Sequence, residues 1–159
     1  MRKLKFCRSV WGILICGLLG SAPLNAQSPK TQAQRLVDIT AQKHPEIIGL
    51  ELSATPPGKG ICITIAATES KDLGEKCDED EATALKTLKP FVEHEPDGFD
   101  VTAPLHDAKG ELIGTLGIDF KPQAEETKAS ILKRTAELLR EVERQIPSKA
   151  FLFQSASGV

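Results

Sequence analysis

The chain has 159 residues, with 20 Lys and Arg against 22 Asp and Glu, one Trp and no Tyr. This balance offers no basic surface to hold nucleic acid and no polybasic face for a membrane. The shortage of Trp and Tyr speaks against stacking sites for sugars or flat cofactors, and no cofactor is expected.

The first 26 residues read as a secretory signal peptide. Arg2, Lys3, Lys5 and Arg8 form a basic start, 10–19 is an apolar run, and Gly20-Ser21-Ala22-Pro23 leads to a cut after Ala26. An uncleaved anchor is the competing reading, because Leu24 is larger than the residue usual at that place. A lipid-modified Cys16 is disfavoured by the bulk of Ile15 before it. Cleavage leaves a periplasmic or secreted chain, 27–159, with 16 Lys and Arg against 22 Asp and Glu, a net charge of −6. Its 133 residues make one domain, expected over 27–147, with a C-terminal tail at 148–159. No later apolar stretch has spanning length, so no membrane span is expected after cleavage.

A first helix can start at Ser28-Pro29 or at Thr31 with Gln34, and Pro45 ends it by pushing His44 out of the helical region. The stretch 47–53 reads as a strand, 55–60 as a turn, and 61–68 as the clearest strand, with Ile61, Ile63 and Ile65 alternating against Cys62, Thr64 and Ala66. A polar loop at 69–77 follows, and Asp78 with Glu81 caps a short helix that Pro90 ends. Residues 94–98 read as a turn, 99–105 as the third strand, 106–110 as a tight connection and 111–120 as the fourth strand. Pro122 is expected to open a last helix, with Ile131, Leu132, Leu138, Leu139, Val142 and Ile146 at helical spacing, and Pro147 to stop it. The tail beyond holds Phe151, Leu152 and Phe153 and can pack or fray. Terminal helices around a small antiparallel sheet define an α+β class.

Alternation gives the sheet two unlike faces. Phe99, Val101, Ala103 and Leu105, with Leu112, Leu116, Ile118 and Phe120, make a large apolar face that should carry both terminal helices. Thr64, Ala66, Thr102, Thr115, Gly117 and Asp119 fall on a small, polar face. Two cysteines remain after cleavage, Cys62 and Cys77, and in an oxidising compartment they are expected to pair. That bond would draw the crossing segment 69–97 over the small face and roof a shallow cavity. The candidate ligand-binding residues are therefore the six just named and His94 of the crossing segment. The threonines would hydrogen-bond, Asp119 would orient a donor group, and Ala66 and Gly117 would leave room.

The layout and some local sequence resemble the extracytoplasmic Cache sensor domains, a PAS-like family. The matching pieces are His44-Pro45-Glu46, Ile63-Thr64-Ile65-Ala66-Ala67, and the hairpin 104–117 with its Asp107-x-x-Gly110-x-x-x-Gly114 spacing. The resemblance implies a PAS/Cache-like sheet with N- and C-terminal helices on one face and a small metabolite held between the sheet and its crossing segment. Many members of that family sit on membrane receptors; this chain departs by showing no output domain, and is expected to be a free-standing module that docks on a membrane-protein partner. The chain lacks the Tyr, Trp and Arg set of the amino-acid-binding branch, so that ligand class is not expected.

No phosphate loop, nucleophile elbow or His-Glu-x-x-His occurs. His94, Glu95 and Asp97, or His106 and Asp107, could ligate a metal but read as solvated turn residues, and Asp78 to Glu81 reads as a helix start. Neither an enzyme nor a metal site is expected. Two functions survive: an exported small-molecule sensing module, and an interaction module that uses the same fold without a ligand. A closed cavity on the small face favours the first, and a flat or filled face favours the second.

Overall fold

The computed structural model describes residues 30–156 except Asp97 and Glu125; the expected signal segment 1–26 and the Ser28-Pro29 helix start lie outside the described residues. The elements are helix α1 (Gln32–Lys43), strands β1 (Ile47–Ala54) and β2 (Ile63–Ala67), and a single 3-10 turn at Ser70–Asp72. Helix α2 (Glu79–Thr87), strands β3 (Phe91–Glu95), β4 (Gly98–His106) and β5 (Leu112–Phe120), and helices α3 (Lys128–Glu143) and α4 (Lys149–Leu152) follow. The five strands form one antiparallel sheet in the order β2-β1-β5-β4-β3.

The apolar face carries the core. Leu50 and Leu52 of β1 pair with Ile118 and Leu116 of β5, which pair with Val101 and Ala103 of β4, and all six are essentially inaccessible to solvent. Onto them pack Ala33, Leu36 and Val37 of α1 and Ile131, Leu138 and Val142 of α3, so both terminal helices cover one face, as the sequence predicts. Helix α1 starts at Thr31, whose hydroxyl accepts the Gln34 N–H at 3.2 Å, and ends before Pro45. The chain beyond Pro147 is tied down. Gln32 N–H donates to the Gln154 carbonyl at 2.8 Å, Ala156 N–H to the Lys30 carbonyl at 2.7 Å, and Leu152 is fully buried.

The structure departs from the expected elements in several places. Strand β2 starts at Ile63 and leaves Ile61 exposed, and the register shift between Leu105 and His106 buries Ile113 in the core while Leu112, expected on the apolar face, is exposed. The fifth strand, β3, occupies residues read as a loop and a turn: it is an edge strand whose Glu93, His94 and Glu95 are exposed, so it shows little apolar alternation. Helix α3 opens at Lys128 rather than at Pro122, because Thr127 and Ser130 cap one another's backbone and satisfy the first orphan N–H groups. In β2 the pairing with β1 slips between Leu52, opposite Ala66, and Ser53, opposite Thr64. Ile65 is the extra residue of this bulge, and the count of two that would keep Thr64 and Ala66 on one face fails there.

Cys62 and Cys77 form the expected disulfide, with Cα atoms 5.4 Å apart. It is one of several ties that lay residues 74–77 along the outer edge of β2. Thr64 N–H donates to the Glu75 carbonyl and Gly74 N–H to the Thr64 carbonyl, both at 2.9 Å, and Cys77 N–H donates to the Cys62 carbonyl at 3.2 Å. The strap feeds directly into Asp78, whose side chain accepts the Asp80 and Glu81 N–H groups while Glu81 accepts from Asp78 N–H. From this capped start α2 crosses the polar face of the sheet, burying Ala84 completely.

Two stability predictions follow from these ties. A Cys62→Ser, Cys77→Ser double variant should lose about 2–4 kcal/mol in urea unfolding, the usual worth of closing a loop of this size; a change under about 0.5 kcal/mol would show that the backbone bonds alone hold the strap. Leu88, which ends α2, has φ +55° and is 59% exposed, so it carries left-handed strain with little packing in return. Leu88→Gly should raise stability by about 0.5–1 kcal/mol, the relieved strain less the added freedom of the unfolded chain.

Candidate functional site

The polar face of the sheet, the strap and the first turn of α2 surround a cavity of about 290 Å³. Its floor is Gly49 and Glu51 of β1, Thr64 of β2, Asp100 and Thr102 of β4, and Gly117 and Asp119 of β5. Glu75, Lys76, Asp78, Asp80 and Glu81 form the wall. Seven of these twelve residues are acidic and one is basic, so the interior favours positive charge.

The register explains how the carboxylates meet. Gly49 lies opposite Asp119, and Asp119 opposite Asp100; two residues further along, on the same face, Glu51 lies opposite Gly117, and Gly117 opposite Thr102. A side chain at position 49 would run into the Asp119 carboxylate, so the missing Cβ is what lets Asp119 lie over β1. Gly117 leaves the neighbouring floor open, a Cβ there meeting only the Glu51 Cβ at 3.6 Å.

Crowding shows in the protonation of the floor. Burial, together with Asp72, Asp119 and Glu81, raises the Glu51 carboxyl to about 7, helped by a hydrogen bond with Asp72 that requires the proton. Burial and the charges of Asp119, Glu95, Asp80 and Glu93 raise Asp100 to about 6. Asp80 is also raised, first by burial and then by its acidic neighbours. The wall residues Asp78 and Glu81 already accept backbone N–H groups in the helix cap, so α2 supplies its own anions and leaves no vacancy for an anionic ligand at its N-terminus.

Of the residues singled out from the sequence, Thr64, Thr102, Gly117 and Asp119 line the cavity. Thr64 also shares a hydrogen bond with Ser53 at 3.2 Å. Thr115 is on the same face but lies outside the lining, 1% exposed, with no hydrogen-bond partner for its hydroxyl among the described residues. Ala66 is on the opposite face, in the core with Leu52, because of the bulge at Ile65. His94 is also displaced: it pairs with Phe99 on the core side of the sheet edge, the two rings 4.6 Å apart, and does not reach the cavity.

The sequence reading missed Glu51 and the acidic wall. Glu51 alternates with Leu50 and Leu52 and could have been placed on the small face by that period alone; the wall residues were absorbed by their role as a helix start. Of the metal candidates, Asp107 accepts the Lys109 and Glu111 N–H groups in the β4–β5 turn, and His106 contacts Glu143 of α3 at 3.1 Å. Among the described residues no three His, Cys, Asp or Glu side chains converge closely enough to hold a metal ion.

No known family and no curated protein matches the chain by sequence. Solved structures do match. The second GAF domain of DevS from Mycobacterium smegmatis aligns at a TM-score of 0.53 and 14% identity, covering 70% of this chain and 88% of that one. The fold is GAF-like. A protein from Burkholderia vietnamiensis described as a GAF sensor aligns at 0.52 and 14% identity, covering 74% and 76%. The type II free methionine-R-sulfoxide reductase of Thermoplasma acidophilum aligns at 0.48 and 16% identity, covering 79% and 94%. At these identities the likeness shows an α+β GAF-like fold and no activity.

The raised carboxyls give a pH prediction with a definite sign. Glu51 and Asp100 take up protons on folding, so the stability they contribute is complete below their ordinary range, near pH 4.5, and is lost as pH rises through about 6 to 7. The carboxyls with lowered values, Asp38, Glu46 and Glu141, act in the other direction and only in the acid range. The melting temperature should therefore fall between pH 5 and pH 7.5. Glu51→Gln should raise it by about 2–4 °C at pH 7.5 and flatten that slope. A slope equal to wild type would show that Glu51 is ionised throughout.

Proposed function

We propose that this protein is an exported small-molecule sensing module and that its ligand is a small organic cation, such as an amine, diamine or guanidine, held in the cavity between the sheet and the strap. The observation that carries the reading is the cavity itself: about 290 Å³ under a tethered roof, with seven acidic residues against Lys76. A ligand-free interaction module has no use for such a space and would be more stable with it filled. The carboxylates are spread around the walls rather than gathered at one point, which favours an extended molecule with one or two cationic groups over a metal ion.

The roles follow from position. Asp119 and Asp100 would receive one cationic group over the β4–β5 ladder, with Glu51 two register pairs away for a second, and Thr64 and Thr102 would supply neutral hydrogen bonds. The open floor at Gly117 would take the apolar part of the ligand. Binding here asks for no nucleophile or general base, and the reading is non-catalytic. Export rests on the basic start, apolar run and small-residue exit of residues 1–26. In an exported binding module, occupancy reaches the cell through a membrane protein, and that is the partner class this reading assigns. The Cache-type identity likewise rests on the hairpin and strand sequences that resemble that family.

A thermal-shift panel tests the reading. At pH 7.5 and low salt, millimolar 1,4-diaminobutane or arginine methyl ester should raise the melting temperature by several degrees, and succinate should not. Asp119→Asn should weaken the response about tenfold, the usual cost of losing one charged contact. A response to calcium alone, or to dicarboxylates, would overturn the assignment.

A further inference from the structure

Like charges opposed across strands destabilise a sheet, and this sheet holds three in one row: Glu93 of β3 opposite Asp100 of β4, and Asp100 opposite Asp119 of β5. Glu51 sits beside that row on β1, on the same cavity floor. The elements packed over this floor relieve it little. The turn Ser70–Asp72 brings Asp72, the strap brings Glu75 and Asp78 against Lys76, and α2 brings Asp80 and Glu81. Glu95 adds to the field from the sheet edge. A floor of this kind must be neutralised by protons or by a bound cation, and the two compete for the same oxygens.

We propose that the cavity exchanges protons for its cation: Glu51 and Asp100 hold protons when it is empty and release them to solvent when an organic cation enters. The inference rests on the cation-binding reading above. In the exchange the carboxyl O–H bond breaks, the proton goes to buffer, and the carboxylate left behind pairs with the ammonium or guanidinium group; no other reactant is needed. The raised protonation of both groups, to about 7 and about 6, places the exchange in the range between pH 5 and pH 8. No histidine lines the cavity, and Glu51 and Asp100 carry the titration in that window. Cation capture then becomes pH-gated, tight in neutral surroundings and weak in mild acid.

Titration calorimetry with 1,4-diaminobutane tests this. The diamine keeps its charge from pH 5.5 to 7.5, as a lysine amine does, so any pH dependence belongs to the protein. Repeating each titration in buffers of different ionisation enthalpy counts the protons released. The expected result is a net release that is largest near pH 5.5 and falls as pH rises through 6 to 7, with an affinity at least about tenfold lower at pH 5.5 than at pH 7.5. Glu51→Gln and Asp100→Asn, both isosteric, should each reduce the proton count and the pH dependence while circular dichroism stays that of wild type. Diamine binding with no proton release, or with wild-type release in both variants, would overturn the exchange and leave the cation reading standing. No binding at any pH would overturn both.

Discussion

The register of β1 against β5 is the constraint on which core and cavity both depend. Both strands are interior to the sheet, and their ladder sends Leu50, Leu52, Leu116 and Ile118 to the helices while it sends Gly49, Glu51, Gly117 and Asp119 to the strap side. A slip of one residue would exchange the two sets, putting acidic groups beneath α1 and α3 and leucines beneath the strap. The slip is blocked at both ends of the pairing. Gly114 approaches the Ser53 carbonyl so closely that no side chain fits, and Gly49 does the same beneath Asp119. The hydrophobic effect thus chooses the register, and the acidic floor comes with it.

The roof is built by a different physics. Almost nothing apolar holds the strap: Leu73 is exposed, and only Ala84 of α2 is fully buried. Covalent closure and main-chain hydrogen bonds to the β2 edge take the place of a core, with the helix cap at Asp78 continuing directly from Cys77. A roof held by its rim can stand over a polar, hydrated interior, since its attachment does not need the cavity to be dry. The Asp78–Glu81 cap serves local structure and cavity chemistry together. Its carboxylates satisfy the first N–H groups of α2 and also add negative potential to the wall.

What could be read from the sequence was whatever follows from strict alternation or from local chemistry. The faces of β4 and of β5 from Thr115 onward, the Asp78 cap and the Cys62–Cys77 bridge all belong to that class, whereas the register shift at the start of β5 turns Ile113 rather than Leu112 into the core. The losses have local causes. One extra residue, Ile65, separates Ala66 from Thr64, and nothing in the run Ile63-Thr64-Ile65-Ala66 marks it as a bulge. The run Phe91 to Glu95 reads as polar because an edge strand needs only one satisfied ladder, so its partner in β4 reveals the strand better than its own sequence does. His94 was assigned to the cavity through its supposed turn; once it belongs to a strand, pairing with Phe99 sends it to the other face. The candidate site required tertiary register, because Glu51, Asp100 and Asp119 are far apart along the chain and neighbours across it.

An acidic row on a sheet face works against stability, and its placement is informative for that reason. Charges opposed on a fully solvated face are screened by water and salt. Beneath a roof they are screened less, and Asp100 and Glu51 show it by holding their protons far above the ordinary carboxyl range. A fold under selection for stability alone could replace either with the corresponding amide at no cost in volume. The carboxylates instead occupy a floor where Gly49 makes room for the Asp119 carboxylate and Gly117 leaves open space, beside a strap fastened by a crosslink. Open volume, excess negative charge and a tethered lid are each unfavourable or neutral for folding when taken alone. Together they fit the cation-binding reading proposed above, in which a ligand of opposite charge offsets the crowding that folding alone leaves in place.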